Sequence, residues 1–156
     1  TEQRYIIGFS TGGALASLIS QYYQPKGLVM INAPVWLKDK KTKLASIAKH
    51  FIDSVDVELT EEEREHYYKR RPITAVEQLN KLLKTYTKGL NKIESPTLII
   101  QSTEDPTINP KSAKYLYDKI LSEDKQLIWH KSNEHVITRN HEKNIFPKIL
   151  EFLRSH

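Results

Sequence analysis

Apolar positions along this chain switch repeatedly between the twofold rhythm of strands and the 3.6-residue rhythm of helices. Tyr5-Ile6-Ile7 is a short β-branched run, followed by the glycine-rich Gly8-Phe9-Ser10-Thr11-Gly12-Gly13 and then by Ala14, Leu15, Leu18 and Ile19 at helical spacing. That succession predicts strand, sharp turn and helix. Pro25 and Gly27 break the pattern, and Leu28-Val29-Met30-Ile31 reads as a buried strand ending in the turn Asn32-Ala33-Pro34. From about Val35 to Lys92 no strand is expected. A lysine-rich helix with Leu44, Ile47, Ala48 and Phe51 on its apolar face comes first. Thr60 with Glu63, and Thr74 with Glu77, have capping-box spacing. An acidic helix over Glu61–Arg70 is expected, set off by Pro72 from a helix carrying Val76, Leu79, Leu82, Leu83 and Tyr86 and closed by Gly89.

The strand rhythm then returns. Thr97-Leu98-Ile99-Ile100 is a continuous apolar run of the kind buried on both faces. A polar loop from Gln101 to Pro110 precedes a helix around Ser112–Leu121, a strand at Gln126–Trp129, a loop over His130–Thr138 and an amphipathic helix over His141–Arg154. This order predicts an α/β fold with a mostly parallel sheet and helices on both faces. The core would comprise 1–34 and 93–156, with a helical cap inserted at 35–92.

Composition narrows the class. A chain of 156 residues is one domain's worth, and no apolar run approaches a membrane span, so no integral membrane segment is expected. The absence of cysteine removes disulfides and thiolate metal sites and points to a reducing, cytoplasmic setting. The net charge of +5 gathers in the first fifty residues, mainly at Lys38, Lys40, Lys41, Lys43 and Lys49. These lysines form the solvated face of one amphipathic helix without interleaved aromatics, so nucleic acid is not an expected partner.

In an open α/β sheet, chemistry gathers in the loops beyond the carboxyl ends of the strands. Three such loops carry Ser10, Asp105 and His135, in that order along the chain. A serine at a strand–helix turn is exposed, and flanking glycines are expected because a Cβ two residues away would collide. Ser10 needs His135 to take its proton during attack and return it to the leaving group. Asp105 would fix the imidazole tautomer, and the backbone N–H of Thr11 would donate to the oxyanion. Glu104 is a rival acid and His130 a rival base. His50 and His66 are expected to lie exposed on cap helices, His141 near the last helix and His156 at the terminus. Phe9, Trp36 and Val136 are candidate substrate-binding residues, and Tyr67, Tyr68 and Tyr86 could line an acyl pocket. No element shows metal-ligand spacing, and no cofactor is expected.

The segments Gly8–Gly13, Ser95–Gln101, Glu104-Asp105-Pro106-Thr107-Ile108-Asn109-Pro110 and His135-Val136-Ile137-Thr138 resemble an α/β-hydrolase. More narrowly, they resemble the small bacterial carboxylesterases and monoacylglycerol lipases. The resemblance covers nearly the whole chain and implies a Ser10, His135, Asp105 triad, with His135 thirty residues beyond Asp105. Where the family has glycine before the catalytic histidine, this chain has Glu134. The family's sheet has eight strands, of which this chain is expected to hold the last four. The missing strands and the loop with the second oxyanion donor are then expected upstream of Thr1.

The resulting expectation is a serine hydrolase that cleaves carboxylic esters through an acyl-enzyme, with a small-molecule ester as substrate. Thioesterase and acyltransferase chemistry would use the same residues. A reading of a different class is a catalytically incompetent fragment or interaction module, partnered by a missing N-terminal segment or a second copy.

Overall fold

The computed structural model describes residues 4–38, 54–56, 61–64, 68–139 and 144–156. They divide into two compact units, 1–38 with 83–156, and 39–82.

The first unit is built on a parallel four-stranded sheet. Its strands are β1 (Tyr5–Phe9), β2 (Gly27–Ile31), β5 (Thr97–Ser102) and β6 (Lys125–His130), in spatial order β1-β2-β5-β6. The register runs straight across, from Ile7 to Val29 to Leu98 to Gln126. Every residue of the two central strands β2 and β5 is buried, as their unbroken apolar runs require in a sheet covered on both faces. Strand alternation separates the two faces. Val29, Ile31, Leu98 and Ile100 share one core with Ile137, Ile145, Ile149 and Phe152, which places α5 (Phe146–Ser155) on that face. Leu28, Met30 and Ile99, equally buried, point to the other.

Helix α1 (Thr11–Ser20) follows β1, and α4 (Lys111–Lys119) lies between β5 and β6. The inner side of α1 is Gly13, Ala14, Ala16, Ser17 and Ser20, all buried, whereas Leu15 and Ile19 are exposed. Small residues let this helix lie close against the sheet. A Cβ on Gly13 would come within 2.7 Å of the Ala33 Cβ, so helix and strand end could not approach as they do.

The second unit departs from an all-helical insert. Among its described residues β3 (Ser54–Asp56) pairs antiparallel with β4 (Arg70–Pro72). Each strand is three residues long, too short to display a twofold alternation in sequence. Helix α2 covers Glu61–Arg64, and Arg70 is a strand residue, so the expected helix does not reach it. Helix α3 runs Ile73–Thr87, with Thr74 inside its first turn rather than ahead of it. Gly89 does not close α3 in the left-handed manner: its φ is −110° and a 3₁₀ turn, Leu90–Lys92, follows. Glycine there makes room for Gln21, whose Nε2 donates to the Tyr86 carbonyl at 2.7 Å. The lysine-rich helix, His50 and His66 lie outside the described residues.

The last helix starts at Phe146, with Pro147 in its first turn, while His141 falls outside the described residues. Among the described residues no helix is long and apolar enough to cross a membrane.

Candidate active site

Ser10 sits where β1 gives way to α1, in a conformation that L-residues rarely adopt, with φ 52° and ψ −125°. Such a conformation costs on the order of 1–3 kcal/mol and persists only when its surroundings dictate it. Three backbone hydrogen bonds do so. Ser10 N donates to the Ile31 carbonyl at 2.8 Å, and the Ser10 carbonyl accepts from Gly13 N at 2.8 Å and Ala14 N at 3.4 Å. The glycines flanking the serine have unequal reasons. A Cβ on Gly8 would lie 2.4 Å from the Gly12 carbonyl oxygen, a collision with backbone that cannot move aside. A Cβ on Gly12 would meet nothing within 4 Å, so the expected collision there is absent.

Asp105 follows β5 and is fully buried. Its Oδ1 accepts from Thr107 N and Ile108 N, both at 2.8 Å, an Asx-type turn that the local sequence closes on itself. The same loop is tied to the end of the 35–38 segment. Leu37 bridges Ile108, Lys38 N donates to the Thr107 carbonyl, and Asn109 N donates to the Trp36 carbonyl.

The second carboxylate oxygen, Oδ2, faces His135 Nδ1 at 2.7 Å, and His135 Nε2 faces Ser10 Oγ at 2.9 Å. The carboxylate accepts, so Nδ1 carries the proton and Nε2 is left as acceptor for the serine hydroxyl. Side-chain exposure is 0% for Asp105 and 16% for His135, so the acid is sealed while the base opens toward solvent. The Phe9 ring lies 5.1 Å from the imidazole, tilted by 40°, and packs on the core beneath.

The rival residues are placed elsewhere. Glu104 is exposed and its N–H donates to the Ser132 carbonyl. His130 ends β6, and its carbonyl accepts from Thr103 N. His156 bonds Asp124 at the opposite end of the strands. Thr11 leads α1, directly after the serine. Val136 is half-buried beside the base. Trp36, 40% exposed, packs edge-on against Tyr115 of α4, with ring centroids 5.0 Å apart. Tyr86 is wholly buried and its hydroxyl donates to the Pro34 carbonyl at 2.5 Å. Burial pushes that phenol well above its ordinary range. Tyr86 is therefore core rather than pocket wall. Tyr68 is exposed and Tyr67 lies outside the described residues. Among the described residues no group of three His, Cys, Asp or Glu could hold a metal ion.

Sequence reasoning passed over Asn32, reading it only as part of a turn. It is buried, has φ 46°, and donates to the His135 carbonyl through Nδ2 at 2.6 Å. A non-glycine residue in the left-handed region is uncommon, and asparagine after a buried strand was the available signal.

Comparison with known proteins places the chain in a family. The family model described as "Serine aminopeptidase, S33" matches residues 1–143. The chain belongs to that family. Its fold is that of an α/β-hydrolase. A carboxylesterase of Bacillus subtilis (strain 168) is 29% identical over 152 residues, covering 94% of this chain and 61% of the relative. A thermostable monoacylglycerol lipase of Bacillus sp. (strain H-257) is 26% identical, covering 97% and 63%. The solved structure of a metagenome-derived lipolytic enzyme superposes with a TM-score of 0.87 at 25% identity, covering 97% of this chain and 65% of that one. The chain thus spans about three fifths of the length of the two Bacillus relatives it matches.

Proposed function

We propose that the protein carrying this chain is a serine hydrolase of carboxylic esters, with Ser10 as nucleophile, His135 as general base and acid, and Asp105 as the group that orients the imidazole. The observation that supports it is the unbroken relay of two hydrogen bonds, 2.9 Å and 2.7 Å long, through both nitrogens of one ring. Ser10 Oγ attacks the ester carbonyl carbon as its proton passes to His135 Nε2, and the carbonyl π electrons move onto oxygen. The Thr11 N–H, at the start of α1, donates to that oxyanion. Collapse re-forms the carbonyl and expels the alcohol, which takes the proton from His135. A water then repeats the sequence on the acyl-enzyme and frees the acid.

The names of the two Bacillus relatives, a carboxylesterase and a monoacylglycerol lipase, support a carboxylic ester as the substrate class, for which an apolar acyl chain is proposed. Phe9 and Val136, next to the base, are the proposed acyl contacts, and Trp36 is a further one. The insert at 35–92 is the proposed cap, and a cysteine-free chain supports a cytoplasmic setting. The test is hydrolysis of p-nitrophenyl esters and labelling by a fluorophosphonate, with an aminoacyl arylamide alongside. Ester turnover and labelling are both expected, and both disappear in Ser10→Ala. Unchanged ester hydrolysis in that variant overturns the reading, and turnover of the arylamide alone replaces the ester by an amide.

A second reading concerns partnership. Among the described residues β1 has one neighbour, β2, so its other backbone edge is unpaired, and Ile7 within it is 51% exposed. An open apolar edge pairs readily with another strand. We propose that chain outside these residues supplies it, in keeping with the greater length of the relatives. A cooperative, monomeric melt of residues 1–156 alone, by light scattering and calorimetry, would sink this reading.

A further inference from the structure

Two consecutive residues at the end of β2 bond the Ser10 turn, the His135 loop and the last residue of the strand that leads to Asp105. The Ile31 carbonyl accepts from Ser10 N at 2.8 Å. Asn32 N donates to the Ile100 carbonyl of β5 at 2.9 Å. The fully buried Asn32 side chain then spans the gap between the end of β5 and the His135 loop. Its Oδ1 accepts from Ser102 N at 2.7 Å, on the strand that leads to Asp105. Its Nδ2 donates to the His135 carbonyl at 2.6 Å. These partners settle which end of the amide is which, because a backbone N–H can only donate and a carbonyl only accept. The backbone conformation, φ 46°, is one that asparagine tolerates better than any residue except glycine.

We propose that Asn32 is a positioning residue for the base: it ties the His135 backbone to the same dipeptide that holds the Ser10 backbone, and so sets the Ser10–His135 separation. This rests on the reading of Ser10 and His135 as nucleophile and base. The site demands an acceptor and a donor on one short side chain. Aspartate would set an oxygen against the His135 carbonyl, leucine would strand two buried polar groups, and glutamine is one methylene too long. A purely space-filling Asn32 would affect folding stability and leave the imidazole where it is.

Asn32→Asp and Asn32→Gly, made in the full protein that carries this chain, separate these roles. The first keeps the shape and the acceptor for Ser102 but loses the donor. The second accepts the positive φ without strain, admits water, and decides the matter if the first does not fold. Both variants are expected to lose about 10- to 100-fold in kcat for a p-nitrophenyl ester, the scale of a base displaced by up to about 1 Å. KM should stay within about threefold, since no substrate contact is removed. The low-field imidazole N–H proton resonance of the His135–Asp105 pair should shift or broaden in both.

Unchanged kcat and an unchanged resonance in variants that melt at lower temperature would overturn the proposal and leave Asn32 a structural residue. Ser10→Ala keeps the two readings apart. If it leaves hydrolysis intact, or the parent turns over no ester, the nucleophile assignment fails. The resonance alone then judges Asn32: retained in both variants, it overturns the proposal; perturbed, it supports it.

Discussion

The Asp105 carboxylate takes two of its three hydrogen bonds from Thr107 and Ile108, two and three residues away, whereas His135 takes its bonds from Asp105, Asn32 and Ser10, which lie 30, 103 and 125 residues away. The acid makes its own seat. The base is seated by others, on a loop held by Asn32, Ser10 and the ring of Phe9. The difference teaches that one half of this site is a local motif and the other half a product of sheet order. Because β1, β2, β5 and β6 end side by side, residues far apart in sequence meet at one rim.

Removing the base tests the comparison hardest. His135→Ala is expected to lower kcat by about 10⁶-fold, the scale at which a nucleophile loses its proton acceptor. Stability should change little, because the ring is partly open to water. Removing the acid should behave differently. Asp105→Asn keeps an oxygen for Thr107 and Ile108 while presenting an amide N–H to the ring, which forces the wrong tautomer; a kcat loss of about 10⁴-fold is expected with Tm nearly unchanged. Asp105→Ala should match that loss and also destabilise by about 1–3 kcal/mol, because the Ile108 N–H is left buried and unpaired. Kinetics and calorimetry on the three variants decide whether the acid and base loops are held as differently as their contacts indicate. Equal Tm losses for His135→Ala and Asp105→Ala would erase the contrast.

The two flanking glycines give a smaller, opposed pair. Gly8→Ala must push against the Gly12 backbone, so a loss of about 2 kcal/mol or more and a displaced Ser10 are expected. Gly12→Ala meets open space within α1 and should gain up to about 1 kcal/mol from helix propensity. Denaturant midpoints read both.

The smallest effect lies at the far end of the sheet. His156 Nδ1 faces the Phe152 carbonyl at 2.8 Å and Nε2 faces Asp124 Oδ2 at 2.8 Å, so both nitrogens donate when the ring is protonated. The Phe152 carbonyl, together with Asp124, raises the imidazole pKa above 6.5, against burial and the nearby Lys26. A raised folded-state value stabilises fully below the unfolded value and loses that contribution as pH climbs through the folded one. Tm should therefore fall slightly as pH rises above about 6.5, and His156→Gln should flatten that dependence. Asp124 is exposed, so the slope is shallow and best read at low salt.

Much of this was legible in the chain. The two central parallel strands declared themselves as apolar runs too continuous for any half-exposed sheet, and Val29, Ile31, Leu98 and Ile100 meet in one core as those runs require. Ser10 was visible as the serine of a glycine-flanked turn between strand and helix, and Asp105 from its place in the loop after the Leu98–Ile100 run and from the resemblance carried by Glu104–Pro110. The short pair β3 and β4 was not visible, since three-residue strands have no period to read. Nor was the open reach of Gly12, because a glycine in a motif looks the same whether or not its Cβ would collide.

The sequence by itself determined the fold class and the three loops that carry Ser10, Asp105 and His135, because those depend on hydrophobic period and on turn residues a few positions apart; preferring Asp105 to Glu104 and His135 to His130 rested on the family resemblance. Only the tertiary structure decided that Ser10, His135 and Asp105 form one relay, that Tyr86 belongs to the core, and that Asn32 joins the base loop to the sheet. Each of these is a contact across 30 or more residues. Such a contact exists only after burial of β2 and β5 has fixed the order of the strands, and no local pattern along the chain encodes that order.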